Sequence, residues 1–266
     1  SVYLAFAIDR SADYWSTIAT PGDGFIRNTF ARQAIPMTWD YAEANPFSDS
    51  TGNWLGAIDW IGRVLDKLTP VVAGRAIQQD ATKLYGEDAI PISTDPPYYD
   101  NIGYADLSDY FYLWMRSSLK SVYPEVFATL LVPKTPELIA SPYRFEGNTD
   151  AANKHFEIGL LQAFSQMRQI IPSEYPLSVY YAFKQEEVVL GEGVASTGWE
   201  TMLSGLISAG FTIEGTWPMR TERSSRSVGQ GTNALASSIV LVCRPRPEDA
   251  PVISRRDFIN ALRREL

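Results

Sequence analysis

The chain has 266 residues, 45% of them hydrophobic and 20% charged, values ordinary for a globular protein with a sizeable core. Its 31 acidic residues outnumber 23 basic ones, giving a net charge of −8 that excludes gripping nucleic acid by overall charge and leaves such work to a local basic patch or a partner. One cysteine, Cys243, and one histidine, His155, exclude a disulfide framework and a cysteine-rich zinc site; without an 18-residue apolar run or a signal-peptide pattern, the default location is cytoplasmic.

Val2 to Tyr14 reads as a mostly apolar helix with Asp9, Arg10 and Asp13 toward its polar side, and Pro21-Gly22-Asp23-Gly24 is a turn cluster. Phe25 to Tyr41 mixes apolar residues with Arg27, Asn28, Arg32 and Gln33, either substrate contacts or capping groups of a solvated loop. Trp54 to Leu68 has helical spacing in Trp54, Ile58, Ile61, Leu65 and Leu68. Ala73 to Gln79 is a candidate strand with Asp80 at its end, and Asp88 to Ile92 reads as a short buried strand in which Pro91 is an oddity. These readings give a helical amino-terminal part, 1–72, and a second region, 73–266.

After that strand comes Ser93-Thr94-Asp95-Pro96-Pro97-Tyr98-Tyr99-Asp100-Asn101. Two prolines forbid continuation of the strand and stiffen the backbone, so Asp95 and Tyr98 are offered from a rigid turn at a strand's carboxyl end, where open α/β sheets bind ligands. A carboxylate, a fixed carbonyl and an aromatic face suit a planar amine: Asp95 accepts one N–H, the Pro96 carbonyl the other, and the Tyr98 ring stacks on the heterocycle.

Further on, Leu107 to Leu119 reads as an aromatic-rich helix, and 133–150 as a surface excursion whose Lys134, Tyr143 and Arg144 could face a binding partner. Asn153 to Ile171 is a helix, Leu177 to Phe183 a strand beside the motif-bearing one, and Trp199 to Ala209 a helix closed by Gly210. Phe211 to Trp217 and Ser238 to Cys243 form a hairpin whose link carries Arg220, Arg223 and Arg226, either a phosphate contact or a solvated loop. Ser254 caps a basic last helix with Phe258, Ile259 and Leu262 on one stripe.

Asp95-Pro96-Pro97-Tyr98 resembles the (Asp/Asn/Ser)-Pro-Pro-(Tyr/Phe) signature of the DNA amino-methyltransferases, which methylate adenine N6 or cytosine N4. The run on to Phe111, with Asn28-Thr29-Phe30-Ala31-Arg32-Gln33-Ala34 and Asn233 to Val242, is similar to a narrower group of large prokaryotic adenine-specific DNA methylases. The resemblance implies a Rossmann-like three-layer α/β sandwich, its mostly parallel sheet ending in an antiparallel hairpin. It also implies S-adenosylmethionine as cofactor, DNA as partner, Asp95, Pro96, Pro97 and Tyr98 as catalytic residues and Asp80 on the cofactor's adenine amine. An aspartate capping a turn would look the same as Asp80. Tyr99, with the three loop arginines, is expected at the nucleic acid.

The family's Phe-x-Gly-x-Gly-like cofactor loop occurs nowhere in these residues, and a start inside a helical pattern reads as a piece of a longer protein whose sheet is either shortened or completed by a neighbouring chain. An alternative is therefore a catalytically silent nucleic-acid-binding module of a modification or defence assembly. An acid/base hydrolase pairing Asp95 with Asp100 or Asp109 leaves the double proline without a purpose.

Overall fold

A computed structural model describes residues 2–30, 37–83, 89–99, 102–182, 197–219 and 238–265. Two compact units emerge, Ser1–Asp80 with Asn101–Glu137, and Ala81–Asp100 with Leu138–Leu266. Whereas the sequence suggests one boundary near 72, the chain divides after 80, 100 and 137, which places the helix following the double-proline motif with the amino-terminal part.

In the first unit, α1 (Val2–Trp15) packs against α2 (Trp54–Lys67) and α3 (Tyr104–Leu119). The face of α1 that is buried consists of Ala5, Ala7, Ser11 and Ala12, small groups that permit close helix approach, while Leu4 and Phe6 remain exposed. Two-residue strands β1 (Thr20–Pro21) and β2 (Ile26–Arg27) close antiparallel over a turn whose Gly24 has φ 75°, a value that favours glycine. Asn53 caps α2 by accepting the Gly56 N–H at 2.6 Å.

Asp13 organises the segment after β2. Its carboxylate accepts the Asn28 amide at 2.8 Å and the Phe30 N–H at 3.1 Å, and its carbonyl accepts the Thr29 hydroxyl at 2.8 Å. Asn28 therefore closes a local structure; Arg32 and Gln33 lie outside the described residues. Asp9, one helical turn earlier, does not point to solvent as the helical pattern suggests. Its Oδ1 is buried, and among the described residues has no hydrogen-bond partner; burial, then the charge of Asp13, pushes its pKa up to about 6.

The second unit is a mixed sheet of order β3-β4-β6-β5: β3 (Ser93–Thr94), β4 (Leu177–Ala182), β5 (Phe211–Met219) and β6 (Ser238–Pro245). β3 runs parallel to β4, whereas β4 with β6 and β5 with β6 are antiparallel, so antiparallel pairs predominate among the described strands. The closing hairpin turns back, putting its last strand, not its first, beside β4. Leu177, Val179 and Tyr181 alternate onto one face, aligned with Cys243, Leu241 and Ile239 of β6. α4 (Thr149–Ile170) and α5 (Thr197–Ser208) cover that face with Phe156, Leu160, Phe164, Met202 and Leu206.

Gly210, φ 88°, ends α5, and its carbonyl accepts the Arg246 N–H at 2.8 Å, tying the helix end to the chain leaving β6. Glu214 is the extra residue of a bulge in β5 and holds Arg244 at 2.9 Å. The last helix, α6 (Arg255–Glu265), is capped by Ser254, whose hydroxyl accepts the Asp257 N–H at 3.1 Å.

Three expectations change. Residues 73–79 form no strand and are exposed, since Gly74 and Arg75 interrupt any apolar run. The strand expected over Asp88 to Ile92 is instead Ser93–Thr94: Pro91 and Pro96 cannot donate to a ladder, Ile90 is 44% exposed, and only the Ile92 carbonyl reaches β4, accepting the Ser178 N–H at 3.1 Å. The stretch 133–150 is not wholly on the surface. Ile139 and Ala140 are buried, and the Ala140 N–H donates to the Tyr99 carbonyl at 2.8 Å.

Candidate functional site

β3 is two residues long because the chain cannot stay in the ladder past Thr94, and the double proline turns it away at the sheet's end. Pairing fixes which end this is. β3 is parallel to β4, Ala182 pairs with Ser238, and Ser238 pairs with Met219. Asp95, the end of β4, the end of β5 and the start of β6 therefore gather at one edge.

At this corner Asp95 is exposed, Pro96 buried, and Pro97 and Tyr98 half-buried. Among the described residues the Asp95 carboxylate has neither an ion pair nor a hydrogen bond, so none of their arginines neutralises it and none of their donors locks its rotamer. The Tyr98 ring meets Tyr181 edge to face, with centroids 5.8 Å apart and planes at 81°. Tyr181 lies in turn 5.9 Å from Trp199, tilted by 31°. The sequence singled out Tyr98 but not these two. The period-2 run of β4 would have placed Tyr181 on the core face, whereas no sequence signal brings in Trp199 from α5.

Tyr99 goes the other way: its ring packs on Phe156 at 5.0 Å, among the residues lining the core. That contact packs the half-buried Tyr99 against the core. Arg220, Arg223 and Arg226 lie outside the described residues; the strand ends that bracket them, Met219 and Ser238, belong to the edge bearing Asp95. Lys134 pairs with Asp109 at 2.6 Å, and Asp109 also accepts the Val132 N–H at 2.8 Å, which commits this carboxylate to a loop anchor. Asp100 lies outside the described residues. Arg144 lies over the exposed ring of Tyr143 at 5.7 Å.

Asp80 belongs to the first unit and is half-buried after an exposed stretch that is not a strand. The positional reason for placing it on a cofactor therefore lapses. The described residues offer no glycine-rich turn between a strand and a helix. Cavities of about 220 Å³, between α1 and the start of α2, and about 410 Å³, over α4 and α5, have no motif residue in their walls. No group of three or more metal-ligating side chains is present among the described residues, and no described helix is long and apolar enough to cross a membrane.

The fold defines a mixed α/β chain with a carboxylate presented at one end of its sheet. Comparisons with protein-family models, curated proteins and solved structures give no match.

Proposed function

We propose that the chain is the base-gripping part of a DNA amino-methyltransferase, with adenine N6 as acceptor. The observation that carries this reading is Asp95, exposed and without an ion pair or hydrogen bond among the described residues, on a proline-stiffened corner with the Tyr98 ring three residues on. A strand terminator needs neither a free acid nor an aromatic held at a fixed angle. The mixed sheet with its antiparallel hairpin is compatible with the fold that such an enzyme requires.

The chemistry follows from the acceptor. An exocyclic amine on a purine is a weak nucleophile because its lone pair delocalises into the ring. Asp95 and the Pro96 carbonyl, each accepting one N–H, draw the nitrogen toward tetrahedral geometry and return the lone pair to it. Catalysis then rests on orientation and fixed dipoles more than on a strong base. The base first leaves the duplex at a cost of a few kcal/mol, and stacking on Tyr98, worth ~1–3 kcal/mol, offsets part of it. S-adenosylmethionine is the methyl donor this reading implies, and the cradle for it belongs to a glycine-rich loop that these 266 residues lack.

That lack favours a second reading, a silent nucleic-acid-binding scaffold that keeps the fold without the transfer. Labelled methyl transfer to DNA and to RNA by the intact protein separates the two. Asp95→Ala abolishes transfer and leaves the urea midpoint unchanged if the grip is catalytic, while undiminished turnover by this variant sinks the assignment. DNA binding without transfer by the unmodified protein selects the scaffold.

A further inference from the structure

We propose that Tyr181 is a positioning residue that sets the angle at which Tyr98 meets an extruded base, with Trp199 as its backstop; this rests on the base-gripping reading. In the β3–β4 register Thr94 lies opposite Val179, so the chain leaves the ladder for the corner beside the strand that carries Tyr181 two residues further on. The contact itself is between the rings, 5.8 Å apart at 81°. Tyr181 is 4% exposed and belongs to the core, so it is held on all sides, whereas Tyr98 is half-buried on a turn.

A base stacking on a ring removes whatever rotation about χ1 and χ2 that ring retains, so each contact that already fixes Tyr98 lowers the cost. An edge-to-face contact at 81° uses the quadrupoles of both rings and disfavours rotation of either. Trp199, with its ring centroid 5.9 Å from that of Tyr181, adds a second aromatic contact that restrains Tyr181. The base therefore meets a surface whose orientation was fixed on folding, and the ordering cost is not charged to binding. Tyr181 need not touch the base to do this.

The competing explanation is that Tyr181 only fills the core. The two are separated by a double-mutant cycle read as binding, without cofactor, of an oligonucleotide bearing 2-aminopurine in place of adenine, with fluorescence reporting the unstacked base. Tyr181→Leu, which removes the ring and keeps apolar bulk, weakens binding about two- to tenfold, the range an aromatic pair supplies. Tyr181→Phe, which keeps the ring, restores it. In a Tyr98→Leu background the Tyr181→Leu step has no further effect on binding, although its effect on the urea midpoint persists. Should Tyr181→Leu prevent folding, Trp199→Leu at a half-buried position takes its place, with a smaller weakening that likewise vanishes when Tyr98 is Leu.

Equal weakening in both backgrounds, or none on removal of the ring, overturns the proposal. If that happens while Asp95→Ala still abolishes transfer, the positioning role alone falls. If Asp95→Ala leaves transfer intact, or the unmodified protein does not bind the unstacked base, the base-gripping reading falls and takes the positioning role with it.

Discussion

Asp9→Asn is expected to stabilise the protein at neutral pH and to lose that advantage in acid. The carboxyl titrates at about 6 in the folded chain against 3.8 for a free aspartate, because burial and then Asp13 disfavour its charge. A raised carboxyl pKa means that the folded state holds the proton over a range where the unfolded state has released it, so ionisation opposes folding. The cost is fully present above pH 6, shrinks as pH falls toward 3.8, and is absent below. Two units at about 1.4 kcal/mol each set a ceiling near 3 kcal/mol, and since the group is only half-buried, screening by water brings it to about 1–1.5 kcal/mol. Asparagine carries no charge and keeps the shape. Urea melts of both proteins at pH 8, 5 and 4, followed by fluorescence, should show a gain that narrows stepwise. Trp15, Trp39, Trp54, Trp60 and Trp114, five of the seven tryptophans, sit in the first unit, so the signal reports mainly on the unit that contains Asp9. A gain that does not change with pH, or a destabilised variant at pH 8, would refute the reasoning.

Gly159→Ala should destabilise the second unit by about 1–3 kcal/mol in urea melts despite its better helix propensity, because the new methyl enters the space of the Leu138 side chain; Leu138→Ala in the same chain should relieve most of the loss. Cys243 is fully buried and its thiol is pushed up to about 11 by burial and then by Glu214, so a maleimide reagent at pH 7 should label it only through opening of the β4–β6–β5 region. Fast labelling under native conditions would count against the core as described.

Helices were legible where apolar spacing was strong and unambiguous. The stripe Phe156, Leu160, Phe164, Met167 of α4 and the spacing of α2 give elements within a few residues of those found, and the alternation of β4 correctly makes it the neighbour of the motif-bearing strand. What failed did so for local reasons. An apolar run ending in proline looks like a strand, yet Pro91 removes the donor that a ladder needs, so pairing begins only at Ser93. Asp9 fits a polar stripe, but α1 buries its small residues instead of its large ones, which rotates the acid inward. Periodicity records the pattern and not which half of it finds a partner. At the site the motif was readable because it is contiguous, while the ring against Tyr98 comes from a strand some eighty residues later, a distance that only pairing supplies.

A free aspartate followed by two prolines is also what a plain strand end looks like, so the corner needs a test of its own, and Pro97→Ala supplies one. The strand has already ended at Thr94 and Pro96 remains, so if the second proline serves only to stop the ladder, alanine costs little. Its effect should then be confined to the greater freedom of the unfolded chain, about 0.4–1 kcal/mol, with no change in capture of an unstacked base. If the proline holds Asp95 and Tyr98 at a set separation, the same small loss of stability comes with a weakening of base binding several times larger than a change in folding free energy of that size explains, since the folded population of a stable domain hardly moves with it. Binding that follows stability alone would reduce the double proline to a terminator and leave Asp95 an ordinary surface acid.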